Sequence, residues 1–232
     1  AGQSATLTLV AYEAPAEPYF YSAVLPGKNY GTEADTQVLL VTHSDGPSLS
    51  QENGTLGILA LIRYYSQMPQ AERVHSLRVV LDPQHYSPGR HTINWYDQHP
   101  QEMAQVIASL GVEQLGQREY GEGDSNNDKG YGLNGRAEPW QIFVRDDPRL
   151  IELAIQAIEA SGVPRTELRV PERKGQGGWT GLGEVALQRN LAGFGTLSSM
   201  SGYWGTSAGI ESFDAELARK QLDLLVMLID GL

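Results

Sequence analysis

The chain has 232 residues, 41% of them hydrophobic, which fits one globular domain large enough to bury an ordinary core. Its formal net charge of -11 and its scattered basic residues argue against a nucleic-acid-binding surface, because phosphate contacts need clustered Lys and Arg. The longest apolar runs are too short for a membrane span, and a composition without cysteine excludes disulfides, thiolate metal sites and cysteine nucleophiles.

The first part of the chain predicts strands followed by a helix. Residues 5–13 alternate apolar and polar side chains, which indicates a half-buried strand, and residues 18–27 are expected to be its hairpin partner. Residues 36–42 (TQVLLVT) are apolar on both faces, as in a central parallel strand covered by helices. Residues 54–68 then carry the broad apolar face of a buried helix.

The middle of the chain predicts two more strands and a loop. Residues 76–81 (SLRVVL) form a second buried strand, and a helical stretch is expected to follow it up to Leu110. A short third strand, SLGVE, ends near Glu113. The Gly- and Asn-rich residues 121–135 are predicted to be an exposed loop.

The last part of the chain contains two well-signalled helices. One follows Asp147 as its cap, has Pro148 in its first turn and ends before Gly162, and the other is the terminal helix capped by Asp214. Strands are predicted at residues 140–145 and 190–197, and a Gly-rich stretch runs from Gly175 to Gly183.

The alternation of strands and helices predicts an α/β fold. We expect a single domain over residues 1–232, because no repeat and no long linker divides the chain. The expected architecture is a three-layer sandwich with a mostly parallel central sheet and helices on both faces. In such sheets the ligand crevice lies outside the carboxyl ends of the strands.

Three predicted strands run directly into reactive side chains. The first leads into His43, Ser44 and Asp45, the second into Asp82 and then Gln84 and His85, and the third into Glu113. Imidazole and carboxylate groups therefore converge on one edge, as a zinc site requires. Each histidine alone is better explained as a hydrogen-bonded loop residue, whereas both together with Glu113 favour a metal site.

The order of these motifs resembles the M28 aminopeptidases, a zinc-exopeptidase family that includes transferrin-receptor and glutaminyl-cyclase-like members. The resemblance runs from about Ala5 to the C-terminus and rests on four loose motifs. These are THSDG with SQENGTLGILAL, LRVVLDPQHYSPGRH, GVEQLG, and SGYWGTSAGIESFDAELARKQLDLL.

The resemblance implies roles for particular residues. His43 stands at the first histidine ligand, Asp45 at the aspartate that orients it, and Glu113 at a later acidic ligand. His85 stands at another acidic ligand position and keeps the ability to bind metal. The bridging aspartate falls on Asn53, with Glu52 beside it as the alternative register.

Two further positions depart from the family pattern. The catalytic glutamate falls on Gln84, which cannot accept a proton from water, and the last histidine ligand falls on Trp204. An amide at the bridging position is also a poor support for two metal ions. The expectation is therefore one zinc ion on His43, His85 and Glu113, joined by Asn53 or Glu52.

Two functions fit this pattern. The first is a metal-dependent hydrolase-like protein that acts on an amide or ester bond of a small-molecule or peptide-like substrate, with Glu52 or Asp82 replacing the missing base. The second is a catalytically inactive peptidase-fold homologue that serves as a binding or interaction module, without metal. The resemblance also favours a secreted or periplasmic location. The sequence leaves the substrate and the oligomeric state open.

Overall fold

The computed structural model describes residues 19–45, 53–83, 91–122, 131–199, 201 and 209–232, with residues 8, 10, 12, 14 and 17, and residues 91–94 by their backbone. Within them the strands are β1 (Tyr21–Leu25), β2 (Gln37–His43), β3 (Ser76–Asp82), β4 (Val106–Gly111), β5 (Arg118–Glu122), β6 (Tyr131–Ala137), β7 (Trp140–Val144), β8 (Thr166–Arg169) and β9 (Ala192–Ser198). The helices are α1 (Gly54–Ser66), α2 (His91–Gln98), α3 (Pro100–Met103), α4 (Pro148–Ser161), α5 (Glu184–Gln188) and α6 (Ala215–Asp230).

Seven of these strands form one mixed sheet in the order β1-β3-β2-β4-β9-β7-β8. The four central strands β3, β2, β4 and β9 are mutually parallel. At one end β1 pairs antiparallel with β3, and at the other β7 pairs antiparallel with β9 and parallel with β8. The carboxyl ends of the four central strands therefore share one edge of the sheet.

Helices cover both faces of the sheet, which confirms the predicted three-layer α/β architecture. Alternate residues of β2 point to opposite faces: Val38 and Leu40 pack with α1, α4 and α6, while Leu39 packs with α2 and α5. Every residue of β2 is buried, as its uninterrupted apolar sequence predicts. No helix within the described residues is long and apolar enough to cross a membrane.

The two helices with the strongest sequence signals have the predicted ends. The Asp147 side chain accepts a hydrogen bond from the Arg149 N–H at the start of α4, and Gly162 ends that helix in the left-handed conformation at φ 60°. Asp214 accepts from the Glu216 and Leu217 N–H groups at the start of α6. Both aspartates thus satisfy donors that a helix leaves unpaired.

Several sequence predictions are wrong in detail. Thr8, Val10 and Tyr12 lie in no strand and are exposed, and the other residues of that predicted strand lie outside the described residues. The third strand covers Val106–Gly111 rather than residues 109–113, because the preceding helical stretch ends at Met103. Strand β8 and helix α5 were not predicted, since both are too short to show a periodic pattern.

The predicted loop at residues 121–135 is partly a hairpin. β5 and β6 pair antiparallel, so Gly121, Glu122 and residues 131–135 belong to strands, while residues 123–130 lie outside the described residues. Glycine and asparagine disfavour strands locally, but backbone pairing and the stacked rings of Tyr120 and Tyr131 outweigh that preference. The hairpin follows the loop that leaves β4.

An ion-pair cluster holds the base of this hairpin. The Glu119 carboxylate receives hydrogen bonds from Arg165 at 2.8 Å and from Asn134 at 2.6 Å, and Arg136 lies 2.8 Å away. Arg165 foremost, with Asn134 and Arg136, lowers the pKa of the Glu119 carboxyl from 4.5 to about 2. Arg165 also donates to the Ala137 carbonyl, so the cluster joins the hairpin to the turn before β8.

Replacing Glu119 by Gln should lower the free energy of unfolding at pH 7 by about 1 kcal/mol, since the two arginines are partly exposed and water screens the pairs. Because the folded pKa is depressed, this contribution is complete above pH 4.5 and is lost as the pH falls toward 2. Denaturant titrations at pH 7 and pH 3 measure the difference. Glu167→Gln, which removes one exposed pair with Arg169, is the control and should change stability by less than about 0.5 kcal/mol. An equal effect of Glu119→Gln at both pH values would contradict the lowered pKa of the Glu119 carboxyl.

Helix α1 approaches the sheet through Gly54. A Cβ on this residue would lie 1.9 Å from the Val112 carbonyl oxygen and 2.0 Å from the Thr42 hydroxyl, so no side chain fits between the helix and the ends of β2 and β4. This contact fixes the first turn of α1 beside the carboxyl edge.

Gly54→Ala should destabilise the fold by about 3 kcal/mol, because one of the clashing groups is backbone and cannot rotate away. Thermal unfolding measures the effect. Gly178→Ala is the matched control, since a Cβ there meets nothing within 4 Å, and it should leave the unfolding temperature unchanged. Similar unfolding temperatures for the two variants would show that α1 can move away from the sheet at little cost.

Candidate functional site

Three buried polar side chains lie at the carboxyl edge of the sheet. His43 ends β2 and is the register partner of Asp82, which ends β3; their exposed fractions are 7% and 0%. The Val112 N–H donates to the Val41 carbonyl, so the chain leaving β4 continues along β2 and brings Glu113 to the same edge. Glu113 is 2% exposed. This edge is where ligands bind in parallel sheets.

The end of β2 is tied to its neighbours by backbone contacts. The Thr55 hydroxyl donates to the His43 carbonyl at 3.0 Å, which joins the strand end to the first turn of α1. The Ser44 N–H donates to the Asp82 carbonyl at 2.8 Å. Asp45 follows at an exposed position. The orienting role of Asp45 toward His43 stays a prediction.

The Glu113 carboxylate occupies a fitted position. Its Oε1 accepts a hydrogen bond from the Leu182 N–H at 2.6 Å, and its own N–H donates to the Thr196 hydroxyl at 3.0 Å. Gly181 lies against it at φ 72°, and a Cβ there would be 2.3 Å from Oε1. Only glycine therefore allows the segment before α5 to close over this carboxylate.

Both polar groups of the Asn53 side chain bind the backbone of the loop that carries Glu113. Its side-chain amide donates to the Leu115 carbonyl at 2.6 Å, and its Oδ1 accepts from the Leu115 N–H at 2.7 Å. The residue is 4% exposed. An aspartate could make only the second of these bonds, because a carboxylate has no donor. The amide at this position thus holds the loop that carries Glu113, and the ligand role of Asn53 stays a prediction.

The loop is constrained further at Gln114 and Gly116, which both have left-handed backbone conformations, at φ 56° and 68°. The Gln114 Oε1 accepts from the N–H and the hydroxyl of Ser198, and the Gly116 N–H donates to the buried Gln221 side chain at 2.7 Å. A non-glycine residue in this conformation is uncommon and persists where surrounding contacts determine it. The carboxylate is therefore held rigidly before any ligand binds.

Glu138 is a buried acid that the sequence did not single out. It precedes β7, and because β7 runs antiparallel to β9, it lies at the same edge of the sheet. Its carboxylate accepts from the hydroxyls of Ser199 and Ser201 and, at 2.8 Å, from the Ser201 N–H. An acid next to a buried strand, with a serine-rich segment later in the chain, was the available signal, but the antiparallel pairing of β7 could not be inferred.

The side chains at this edge are of types that bind zinc, since imidazole and carboxylate are common zinc ligands. Within the described ranges, no three His, Asp or Glu side chains are grouped so that they could hold a metal ion. The set of three expected from the sequence includes His85, which lies outside the described residues, as do Glu52, Gln84 and Trp204. The metal and catalytic roles of His43, His85, Glu113, Glu52 and Gln84 stay predictions.

Comparison with solved structures gives the fold. A zinc aminopeptidase from Bacillus subtilis superposes with a TM-score of 0.64 at 13% identity, over 90% of this chain and 49% of that one. A peptidase M28 precursor from Shewanella amazonensis superposes with a TM-score of 0.59 at 13% identity, over 90% and 43%. The chain has the zinc-exopeptidase fold.

The same fold occurs in a second kind of protein. A glutaminyl cyclase from an Acidobacteriales bacterium superposes with a TM-score of 0.59 at 16% identity, over 91% of this chain and 72% of that one. No family model matches the chain, and no curated protein does. The chain spans less than half the length of the two peptidases, so the likeness is one of fold.

Asn53→Asp should destabilise the protein by about 3 kcal/mol at pH 7, because it leaves the buried Leu115 carbonyl without its donor and adds a buried charge. The loss should shrink at acid pH, where the introduced carboxyl is protonated and can donate again. Denaturant unfolding at pH 7 and pH 4 measures both effects. Asn29→Asp is the matched control: Asn29 also donates to a backbone carbonyl, that of Ala34, but this hydrogen bond is exposed to solvent and water can replace it. Equal losses in the two variants would contradict the role of Asn53.

Proposed function

We propose that the chain is a hydrolase-like protein that acts on an amide or ester bond with one zinc ion at the carboxyl edge of its sheet. The observation that carries this proposal is the position of Glu113, a buried carboxylate on a strained and fully braced loop, beside the strand that ends in His43. Bracing of this kind is typical of groups that must bind a ligand in one geometry.

In the proposal His43, His85 and Glu113 hold the ion, and Asp45 orients His43. When bound, the ion supplies Lewis-acid polarisation of the scissile carbonyl. Asn53 fixes the loop that carries Glu113.

The proton-accepting group in this proposal is a carboxylate elsewhere in the chain, since residue 84 is a glutamine whose amide has no proton equilibrium near neutral pH. Asp82 is one candidate, because it is buried directly beside His43 on the neighbouring strand. Glu52 is the other candidate.

A single ion is expected rather than two. The residue at the bridging position, Asn53, uses both of its polar ends to bind Leu115. Two like charges a few ångströms apart need a bridging carboxylate between them, and a braced amide does not supply one.

The alternative function is a binding module without metal or turnover. One observation favours it: Asn53, at the position where the M28-like pattern has a bridging aspartate, supports the fold of the loop instead. Such a change is expected where this edge of the sheet binds a partner and does not catalyse a reaction.

Protein purified without added zinc should contain close to one zinc ion per chain, and His43→Ala should weaken zinc binding by roughly 100-fold or more, since loss of even a second-shell partner costs about 10–100-fold. Metal content by mass spectrometry and competition with a chelator measure both values. His75→Ala is the control, because His75 precedes β3 at the opposite edge of the sheet and contacts Thr36. Equal zinc content in wild type and His43→Ala would reject the site, and two ions per chain would reject the single-ion assignment.

Turnover separates the two functions. If a replacement base operates, the wild type hydrolyses aminoacyl amides or esters and Gln84→Glu leaves the rate unchanged or lowers it. If the chain is a weakened peptidase, Gln84→Glu raises the rate by about 10²–10⁴, the usual contribution of a general base. If neither protein binds zinc or turns over a broad panel of amides and esters, the binding module is correct.

A further inference from the structure

The hairpin β5–β6 presents two aromatic rings and a carboxylate on one face. The rings of Tyr120 and Tyr131 stack with centroids 6.2 Å apart and planes at 21°. Glu122 is the direct cross-strand partner of Tyr131 and stands two residues beyond Tyr120, so the three side chains share a face. We refer to Tyr120, Glu122 and Tyr131 as the hairpin face.

The hairpin face belongs to the carboxyl edge of the sheet. The Tyr131 hydroxyl donates to the Ser201 carbonyl, and the Tyr120 N–H donates to the Ser201 hydroxyl at 2.9 Å. Ser201 follows the carboxyl end of β9, where Glu138 binds its N–H and hydroxyl. Because β9 is parallel to β4, this anchor lies at the edge that also carries Glu113.

Tyr131 is exposed and held in place. The residue is 61% exposed, yet its ring contacts Tyr120 on one side and its hydroxyl donates to the Ser201 carbonyl. A ring that is already immobile loses little conformational entropy when a ligand packs on it. An exposed aromatic side chain braced in this way is suited to contact a ligand.

The chemistry of the hairpin face selects a planar cation. The Tyr131 hydroxyl is already engaged, so the ring offers its face, and the face of a tyrosine ring attracts cations. The Glu122 carboxylate stands in register beside the ring, and the chain carries a net charge of -11. A guanidinium can stack on an aromatic face and make paired hydrogen bonds to a carboxylate, which an ammonium cannot.

We propose that the hairpin face receives a guanidinium group, so that the amide or ester substrate carries an arginine side chain. This substrate class rests on the proposed function, whereas recognition of the guanidinium itself needs no metal.

The test compares L-argininamide with L-citrullinamide, a near-isostere whose side chain is uncharged and whose α-amino group is the same, by titration calorimetry or NMR. The wild type should bind the arginine compound more tightly, and Tyr131→Ala should weaken that binding by about two- to fivefold, the usual range for an exposed cation–π contact. Glu122→Gln should weaken it as well and reduce its dependence on salt. Tyr21→Ala is the matched control, because Tyr21 is equally exposed, at 63%, on β1 at one end of the sheet, and it should leave binding unchanged.

Three results would overturn the proposal: equal affinity for the two amides, no binding of argininamide by the wild type, or unchanged binding in a folded Tyr131→Ala variant. Thermal unfolding of each variant checks the fold. If Tyr131→Ala does not fold, the test rests on Glu122→Gln, a substitution at an exposed position, and unchanged binding of argininamide in that variant overturns the proposal. The selectivity for argininamide should persist in His43→Ala. If the wild type is selective for argininamide but contains no zinc and shows no turnover, the proposed function fails and the guanidinium site stands. If turnover depends on His43 but shows no selectivity for arginine, the guanidinium site fails and the proposed function stands.

Discussion

The carboxyl edge of the sheet depends on two contacts in which backbone lies directly against backbone. On one face, Gly54 begins α1 against the Val112 carbonyl. On the other face, Gly183 precedes α5, and a Cβ there would lie 2.4 Å from the Gly195 Cα of β9. Because no side chain separates helix from strand at either point, the loop after β4 is confined between two rigid elements. The position of Glu113 follows from this confinement, since Asn53 reaches the loop from the start of α1 and Leu182 reaches it from the start of α5.

This confinement also explains the polar character of the edge. Thr196, Gln114, Ser198 and Gln221 are all buried, and each has its hydrogen-bonding group matched to the loop backbone or to a neighbouring side chain. A buried polar group without a partner costs about 1–3 kcal/mol, so a network of this density holds one conformation only if nearly every member is satisfied. The left-handed backbone of Gln114 is stable for the same reason.

The sequence allowed prediction of those elements whose signals are local. Strand β2 and helices α4 and α6 were predicted because unbroken apolar runs and Asp-Pro or Asp caps depend only on neighbours in the chain. The hairpin β5–β6 was missed because its stability comes from cross-strand pairing and from the contacts of Glu119 with Arg165, 46 residues away.

The candidate site, like the fold, could be predicted only in the parts that follow from local sequence or from strand direction. The convergence of His43, Asp82 and Glu113 on one edge follows from strand direction alone. The structural role of the Asn53 amide depends on a hydrogen bond to Leu115, 62 residues away. The position of Glu138 depends on the antiparallel direction of β7. Neither feature could be inferred from the neighbouring sequence. The zinc ligands were inferred from the convergence of strand ends, the catalytic groups were inferred from a resemblance in motif order, and both stay predictions.

The strand order has a consequence for how the chain folds. Strand β9 lies between β4 and β7, yet it is made after both of them and after β8. During synthesis the sheet therefore cannot be completed until β9, which lies between β4 and β7, has emerged from the ribosome. Helix α6, which buries Leu224, Leu225 and Leu228 against the same sheet, follows later still. Contacts of such long sequence separation slow folding and leave strand edges unpaired in the interim, so the nascent chain has an unfinished core until α6 has been made.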